Sequence, residues 1–573
     1  MKSKENKKEE KIVRKRRVDG KEKIYEELEK ENNKSYSNKK TISLEKKEEK
    51  EKNLNIKQTN NKKKTIEHDF PRSYSNKKEK KFTKKNNNKF LPIISRIFSI
   101  LFIMSMILIY GLVISLDILP FKYIVLFTII MSLVSFIIFY FLFNKRIKKV
   151  LKIISMFISV FFMIGSIITL HYTTETLKFF EDINNADLTT TEKYYVAVKK
   201  DSEYKDIKEL ENVRVATFNE NTNYYKEVLD KLSKEVETTL IEYESSLDVI
   251  DNLLSGEVPA ILISNLHKEQ YMEEHENLDN SIRIIYSIEV ETTNSETEVV
   301  TIKPASENVM TIYISGIDSY GSIKNRSRSD VNMLATINTK THEVLLISIP
   351  RDYYVQLHGT KGYKDKLTHS GIYGVNMSIQ TIQDFMGIDI NYYAKVNFST
   401  LIKVVDIIGG IEVYSDKSFV PHTDKTVYIK KGINKMNGKE ALAFSRERYA
   451  YSDGDRHRVK NQQDVLAAII KKVTTSPTLL TKYSTLLNSV SSSFQTNVDF
   501  NQITDLVKIQ LETMPNWVIK QYSLDGTGSQ QYTYSMGKRN LYVMIPNEST
   551  IEKGRQYVKG MTEGKTLKEL GFK

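Results

Sequence analysis

RSRSDVNMLATINTKTHEVLLISIPRD, residues 326–352, is the stretch from which the fold can be read. Glu343–Ile349 is a continuous apolar run, the pattern of a central strand buried on both faces. Met333–Ile337 reads as the strand before it, and Val309–Ile314 as an earlier neighbour. Charged residues collect at the ends of these strands. ISGID places Asp318 just after one strand, Asp330 stands just before the next, and Arg351 and Asp352 follow the third. Pro350 stops that strand and holds the charged pair at its mouth. In open α/β sheets, ligands gather outside such strand ends.

Arginine is used selectively in this chain. It supplies 17 of 85 basic residues, so lysine is the default cation. Nine arginines lie in residues 300–573, and seven of them are Arg326, Arg328, Arg351, Arg446, Arg448, Arg456 and Arg458. A guanidinium presents a rigid fork of donors that matches phosphate oxygens in pairs, which an ammonium cannot do. Two carboxylates beside convergent arginines are what a pyrophosphate–Mg2+ complex requires. The cation bridges carboxylate and phosphate oxygens, and the arginines neutralise the remaining charge.

The net charge of +14 is a poor average. Residues 1–90 carry 31 basic and 16 acidic side chains, whereas the rest of the chain carries 54 and 55. This Lys-, Glu-, Asn- and Ser-rich segment cannot bury enough apolar surface to fold, and we expect a disordered basic tail. Its interspersed glutamates argue against a nucleic-acid arm and fit a juxtamembrane segment. Cysteine is absent, which excludes disulfides and Cys-based zinc sites or nucleophiles. No HExxH or GxSxG pattern occurs either.

Residues 91–171 contain three apolar runs, Ile93–Leu116, Phe121–Phe143 and Val150–Leu170, each long enough to span a bilayer. They carry no mid-span charge and read as anchors, not a transport path. The basic tail and the basic loop Asn144–Lys152 place the N-terminus in the cytoplasm. An odd number of spans then delivers the remainder outside, as a multi-pass protein of the cell membrane with extracellular C-terminal domains.

Two outer domains are expected. In residues 190–300, strands and helices alternate, which predicts a small parallel α/β layer. Within it, VAVKKDSEYKDIKELENVRVATFNENTNY (196–224) and LLSGEVPAILIS (253–264) resemble one lobe of an extracellular solute-binding protein. A spacer and a ligand sensor both fit that pattern. Residues 307–560 mix strands with helices over Tyr373–Met386, Thr400–Ile408, Asn437–Ser445 and Val459–Val473. They predict an α/β or α+β domain with a central mixed sheet flanked by helices. The apolar segments Ile379–Phe385 and Leu401–Ile408 are candidates to line a hydrophobic tunnel.

The segments 316–357, 365–374 (DKLTHSGIYG), 396–413 (VNFSTLIKVVDIIGGIEV) and 436–466 (MNGKEALAFSRERYAYSDGDRHRVKNQQDVL) together closely resemble the LytR–CpsA–Psr family. The resemblance implies an enzyme, a phosphotransferase attaching an anionic glycopolymer, such as teichoic acid or capsule, to peptidoglycan from an undecaprenyl-pyrophosphate carrier. It implies Mg2+ as cofactor, with Asp318 and Asp330 as its ligands and, with Arg351, as catalytic residues. Arg351, Arg446, Arg448 and Arg458 would hold the pyrophosphate. Asp352 would orient Arg351, Lys366 would line the following loop, and Asp455, Gln462 and Gln463 would complete the last motif. Asn461 stands where many members have arginine, so one phosphate contact is lost or comes from Arg456. Either Asp318 or Asp330 could take a substrate proton. A signalling or transcription-attenuating protein, and a wall-polysaccharide-binding module without turnover, are the alternatives.

Overall fold

The computed structural model describes residues 90–573 except 186–188, 219–222, 273–274, 276, 294–305, 307, 325, 477–481, 483–484 and 487. The basic tail therefore lies outside the described residues. Three long helices come first, Phe90–Leu116, Phe121–Phe143 and Lys149–Asn185. Each is long and apolar enough to cross a membrane, with mean hydropathies of 2.7, 2.7 and 2.4. Ser95, Ser99 and Ser105 on the first and Ser155, Ser159 and Ser166 on the third are buried. Small side chains of this kind let membrane helices approach closely. The third helix runs beyond the expected Leu170, and its Phe179 packs with Val404, Val490, Phe494 and Phe500 of the large domain. The turn between the first two helices meets the same domain, where Asp117 pairs with Lys508 at 2.5 Å.

The small domain is a five-stranded sheet ordered β3-β2-β4-β1-β5. Its strands are β1 (Thr189–Lys199), β2 (Arg214–Phe218), β3 (Thr239–Tyr243), β4 (Ala260–Ser264) and β5 (Ile282–Thr293). The parallel layer expected from the alternation is corrected here. β2 runs parallel to β3 and β4, but β1 is antiparallel to both β4 and β5. Strand–helix alternation cannot reveal this, because the direction of β1 is set by its pairing with β5, the last strand of the domain. Successive residues of β1 and β4 point to opposite faces, as strand geometry requires. Val196, Val198 and Leu262 pack with Val228 and Leu232 of helix Asn223–Glu235. Ala197, Ile261 and Ile263 pack with Val249, Ile250 and Leu253 of helix Ser246–Ser255.

The large domain is built on a six-stranded mixed sheet ordered β14-β11-β6-β7-β8-β15. β6 (Val309–Ile317), β7 (Val331–Asn338) and β8 (Glu343–Ile349) are consecutive antiparallel neighbours. The short pair β9 (Tyr354–Val355) and β10 (Asp365–Lys366) follows. β11 (Tyr392–Asn397) adds parallel to β6, and the pair β12 (Ile411–Ser415) and β13 (Gly432–Met436) stands apart from the main sheet. β14 (Phe494–Thr496) and β15 (Val518–Ser523) form the edges. On one face Tyr313, Leu345 and Ile347 pack with Ile379 and Ile382 of helix Val375–Met386 and with Ile551 and Val558 of helix Glu548–Thr562. On the other face Ile314, Met333 and Leu346 meet Leu466 and Ile470 of helix Asp455–Thr475.

A hairpin, β16 (Gly526–Thr533) and β17 (Gly537–Pro546), ties the two domains together. Its base joins the large domain, where the Met544 N–H donates to the Asp352 carbonyl at 2.7 Å. Near its tip, Met536 and Leu541 are buried in the small domain's core with Tyr271 and Leu278. Arg539 pairs there with Asp251 at 2.5 Å.

Gly316 sits where β6 presses on the first residue of β7. A Cβ added to it would lie 2.7 Å from the Val331 Cβ, and both atoms are fixed by backbone. Gly316→Ala should therefore cost about 1–3 kcal/mol, read as a lowered unfolding midpoint of the full-length protein in detergent.

Candidate active site

Register places the central pair of charges. In the antiparallel β7–β8 ladder Asn332 lies opposite Ile349, so Asp330 and Arg351 leave the sheet side by side. Arg351 Nη1 donates to Asp330 Oδ1 at 2.7 Å, and Thr368 Oγ1 donates to the same oxygen at 3.2 Å. Burial alone would raise the Asp330 carboxyl, but Arg351, Arg328 and Arg458 overcome it and hold the group down at about 2. Burial works against the Arg351 charge as well. Asp330, Asp352 and Asp455 outweigh it and raise the guanidinium above its ordinary value. Asp352 approaches Arg351 Nε only at 3.8 Å and also lies 3.5 Å from Lys366 Nζ. Lys366 itself is buried.

Three further arginines come from the segment that ends helix Gly438–Ser445 and begins helix Asp455–Thr475. Arg446 lies 3.3 Å from Asp318 and stacks over Phe398 with its guanidinium carbon 4.2 Å from the ring centre. Asp455 braces two others, Arg458 at 2.9 Å and Arg448 at 3.5 Å. Burial and the nearby charges of Arg351 and Arg448 push Arg458 down to about 10, against the pull of Asp455. A buried guanidinium crowded by its own kind is stabilised by an incoming anion.

Part of this cluster rims an apolar cavity of about 400 Å3 between the sheet and helix Asp455–Thr475, while Arg351, Asp352, Lys366 and Asp455 stand behind the lining residues. Asp318, Asp330, Arg446, Arg448, Arg458 and Gln462 face it at one end, and Met333, Val396, Leu401, Leu466 and Ile469 form its apolar wall. Asp318 is lifted above its ordinary value by burial and by Asp330, opposed by Arg446. Leu401 takes the lining role expected of Leu401–Ile408. Ile379–Phe385 does not, because Ile379 and Ile382 are fully buried in the core on the opposite face of the sheet.

Several sequence candidates turn out to serve the framework. Gln463 donates to the Leu346 and Tyr522 carbonyls, and so bridges β8 and β15. Asn461 is buried and donates to the Phe444 carbonyl. Arg456 pairs with Asp525 at 2.8 Å and donates to the Gly526 carbonyl. Arg326 pairs with Glu192 of the small domain at 2.6 Å. His457 stacks on Tyr451 with ring centres 3.3 Å apart.

Sequence reasoning missed Thr368, His422 and Glu447. Glu447 accepts backbone N–H groups from His422, Tyr449 and Ala450, which shapes the loop so that Arg446 and Arg448 point into the cavity. Its signal was the acid held between two arginines in RER. His422 and Tyr449 also line the cavity.

Among the described residues no set of three or more His, Asp or Glu side chains is placed to hold a metal ion. Asp318 and Asp330 both face the cavity. Two carboxylates suit Mg2+ when phosphate oxygens complete its shell. The donor set thus fits a metal that arrives together with a phosphorylated ligand.

The sequence pattern described as the LytR_cpsA_psr family matches residues 282–551. A polyisoprenyl-teichoic acid–peptidoglycan teichoic acid transferase TagU of Bacillus anthracis is 34% identical over 215 residues, which are 37% of this chain and 69% of the relative. The chain belongs to the LytR–CpsA–Psr family. The Bacillus cereus TagU is 36% identical over 36% of the chain and 66% of its own length. Biofilm regulatory protein A of Streptococcus mutans is 33% identical over 39% and 58%. The chain thus spans less than two thirds of both of these. The crystal structure of B. subtilis TagV, 28% identical, covers 46% of this chain and 99% of its own with a TM-score of 0.38. TagT bound to LIIa-WTA, 25% identical, covers 48% and 98%, also at 0.38. A pattern described as DNA polymerase processivity factor matches residues 144–263. That range joins an apolar helix to part of the small sheet and omits β5, so it does not coincide with a folded unit of this LytR–CpsA–Psr member.

Asp330 has a depressed carboxyl, so its stabilising contribution is present above the ordinary 3.8 and is lost as pH falls through about 2. Asp330→Asn should remove about 2 kcal/mol at neutral pH and flatten the acid limb of stability between those values, read by urea unfolding across pH.

Proposed function

We propose that this chain is a membrane-anchored phosphotransferase that moves an anionic glycopolymer from a polyprenyl-pyrophosphate carrier to peptidoglycan. One observation carries the reading: arginines and carboxylates rim one end of an apolar cavity. Such a site suits a ligand that is a diphosphate at one end and a hydrocarbon at the other. The printed names of the TagU relatives, polyisoprenyl-teichoic acid–peptidoglycan teichoic acid transferases, support that donor and acceptor.

In this reading Arg446, Arg448 and Arg458 grip the two phosphates, and Arg351 neutralises the one nearest Asp330. Leu401, Met333 and Leu466 shelter the first part of the chain. An acceptor hydroxyl oxygen bonds to the sugar-linked phosphorus, the bond to the bridging oxygen breaks, and polyprenyl phosphate leaves. The fixed guanidinium charges stabilise the negative charge that gathers on the bridging oxygen. Asp318 is held by a 3.3 Å contact to Arg446 and its carboxyl is lifted above the ordinary value, so it is freer to accept the hydroxyl proton than Asp330, which is committed to Arg351 and Thr368. Mg2+ held by Asp318 and Asp330 would supply further charge neutralisation at the phosphates.

The carrier is a membrane lipid, and helix Phe398–Ile407, which contributes Leu401 to the cavity, packs through Val404 on Phe179 at the end of the third apolar helix. Two connections of the apolar helices meet the large domain from the same side, at Asp117 and at Phe179. With the basic 144–152 loop in the cytoplasm, that side is the cell exterior. The regulatory alternative drew on the basic tail, which lies outside the described residues.

In a transfer assay with purified full-length protein, a polyprenyl-pyrophosphate-linked polymer and peptidoglycan, Arg351→Ala should abolish product. Arg458→Lys keeps the charge but loses the fork and should lower kcat by about a hundredfold. Unchanged turnover in both variants would remove the basis of the reading.

A further inference from the structure

The small domain reaches the catalytic loop directly. Residues 326–330 are fixed one after another, and the first two are held from that domain. Arg326 pairs with Glu192 at 2.6 Å, where the glutamate side chain is 6% exposed. Ser327 Oγ donates to Glu269 Oε2 at 3.2 Å, and the other oxygen of Glu269 accepts from Asn265 at 2.9 Å. Ser329 is anchored inside the large domain by Ser315 Oγ at 2.8 Å and by its N–H to the Thr368 carbonyl at 3.0 Å. Asp330 ends the loop on Arg351. Arg328 stands in the middle, and its charge acts on three carboxylates, Glu269, Asp318 and Asp330.

A solute-sensing lobe on a loose tether would not look like this. Among the described residues the domains meet at the hairpin tip through Met536, Leu541 and Arg539, and at the 326–330 loop through Glu192 and Glu269. Among the described residues, the second of these touches a segment that enters the cavity, through Asp330. Glu269 is carried on helix Asn265–Met272, directly after β4, so a central strand of the small sheet fixes where its carboxylate points.

We infer that Glu269 is a positioning residue of the transferase site, holding the 326–330 loop through Ser327 and setting the Arg328 guanidinium between the small domain and the two cavity carboxylates. The small domain then braces the active site from behind the 326–330 loop. Preorganised charge of this kind acts on the rate more than on the binding of the donor. This rests on the transferase reading given above.

The test is a double-mutant cycle in the full-length detergent-solubilised enzyme, with kcat and KM for the polyprenyl-pyrophosphate-linked donor measured separately. Glu269→Ala should lower kcat roughly tenfold with little change in KM, and Glu269→Asp should recover much of the loss. The double variant Glu269→Ala/Arg328→Ala should be no slower than Arg328→Ala alone. Arg539→Ala, which loosens the docking at the hairpin tip, should leave kcat near wild type. Should Glu269→Ala fail to fold, the near-isosteric Glu269→Gln takes its place in the cycle. Losses that multiply in the double variant, or an equal loss from Arg539→Ala, would overturn the inference while leaving the transferase intact. A wild-type enzyme without transfer would instead refute the underlying reading.

Discussion

A buried ion pair at the end of an antiparallel ladder organises this molecule's chemistry. Asp330 and Arg351 emerge from neighbouring strands at facing register positions, so the sheet itself brings them together. Each charge would be costly alone at that depth, and each makes the other tolerable. The pair in turn fixes what surrounds it. Arg458 and Arg328 act on the same carboxylate, and Asp352 and Asp455 act on the same guanidinium. Positive charge exceeds negative at the cavity rim, and that imbalance makes the rim a seat for an anion.

The second organising constraint is the wall behind that rim. Ile314 and Met333 turn from the sheet toward helix Asp455–Thr475, and Leu466 and Ile469 answer from the helix. The same helix begins with Asp455 and Arg458, so one element supplies both the phosphate contacts and part of the apolar lining. Helical spacing accounts for this economy, since residues 458, 462, 465, 466 and 469 fall along one face.

Much of this was legible in the sequence because the decisive residues sit at strand ends. The run Glu343–Ile349 could hardly be anything but a buried strand, and Pro350 fixed where it stops. Asp318, Asp330, Arg446, Arg448, Arg458 and Gln462 reach one cavity as their motifs suggested. Other residues of the same motifs could not be sorted by type alone. Arg326 and Arg456 are arginines like the rest, yet they bind Glu192 and Asp525. Gln463 differs from Gln462 by one helical step of about 100°, enough to turn it from the cavity to the β8–β15 edge. The mixed order of the small sheet was hidden because β1 pairs with β5, ninety or so residues away, through contacts no local pattern encodes. The two candidate tunnel segments could not be told apart, because apolar helical faces look alike whether they meet a core or a cavity.

Where a diphosphate lipid binds is measured most directly by a crystal structure of the protein with a polyprenyl-pyrophosphate-linked donor. It should show both phosphates within hydrogen-bond reach of Arg446, Arg448 and Arg458, with the first prenyl units between Met333 and Leu466. Phosphates bound outside this rim, or a prenyl chain lying elsewhere with the cavity empty, would contradict it.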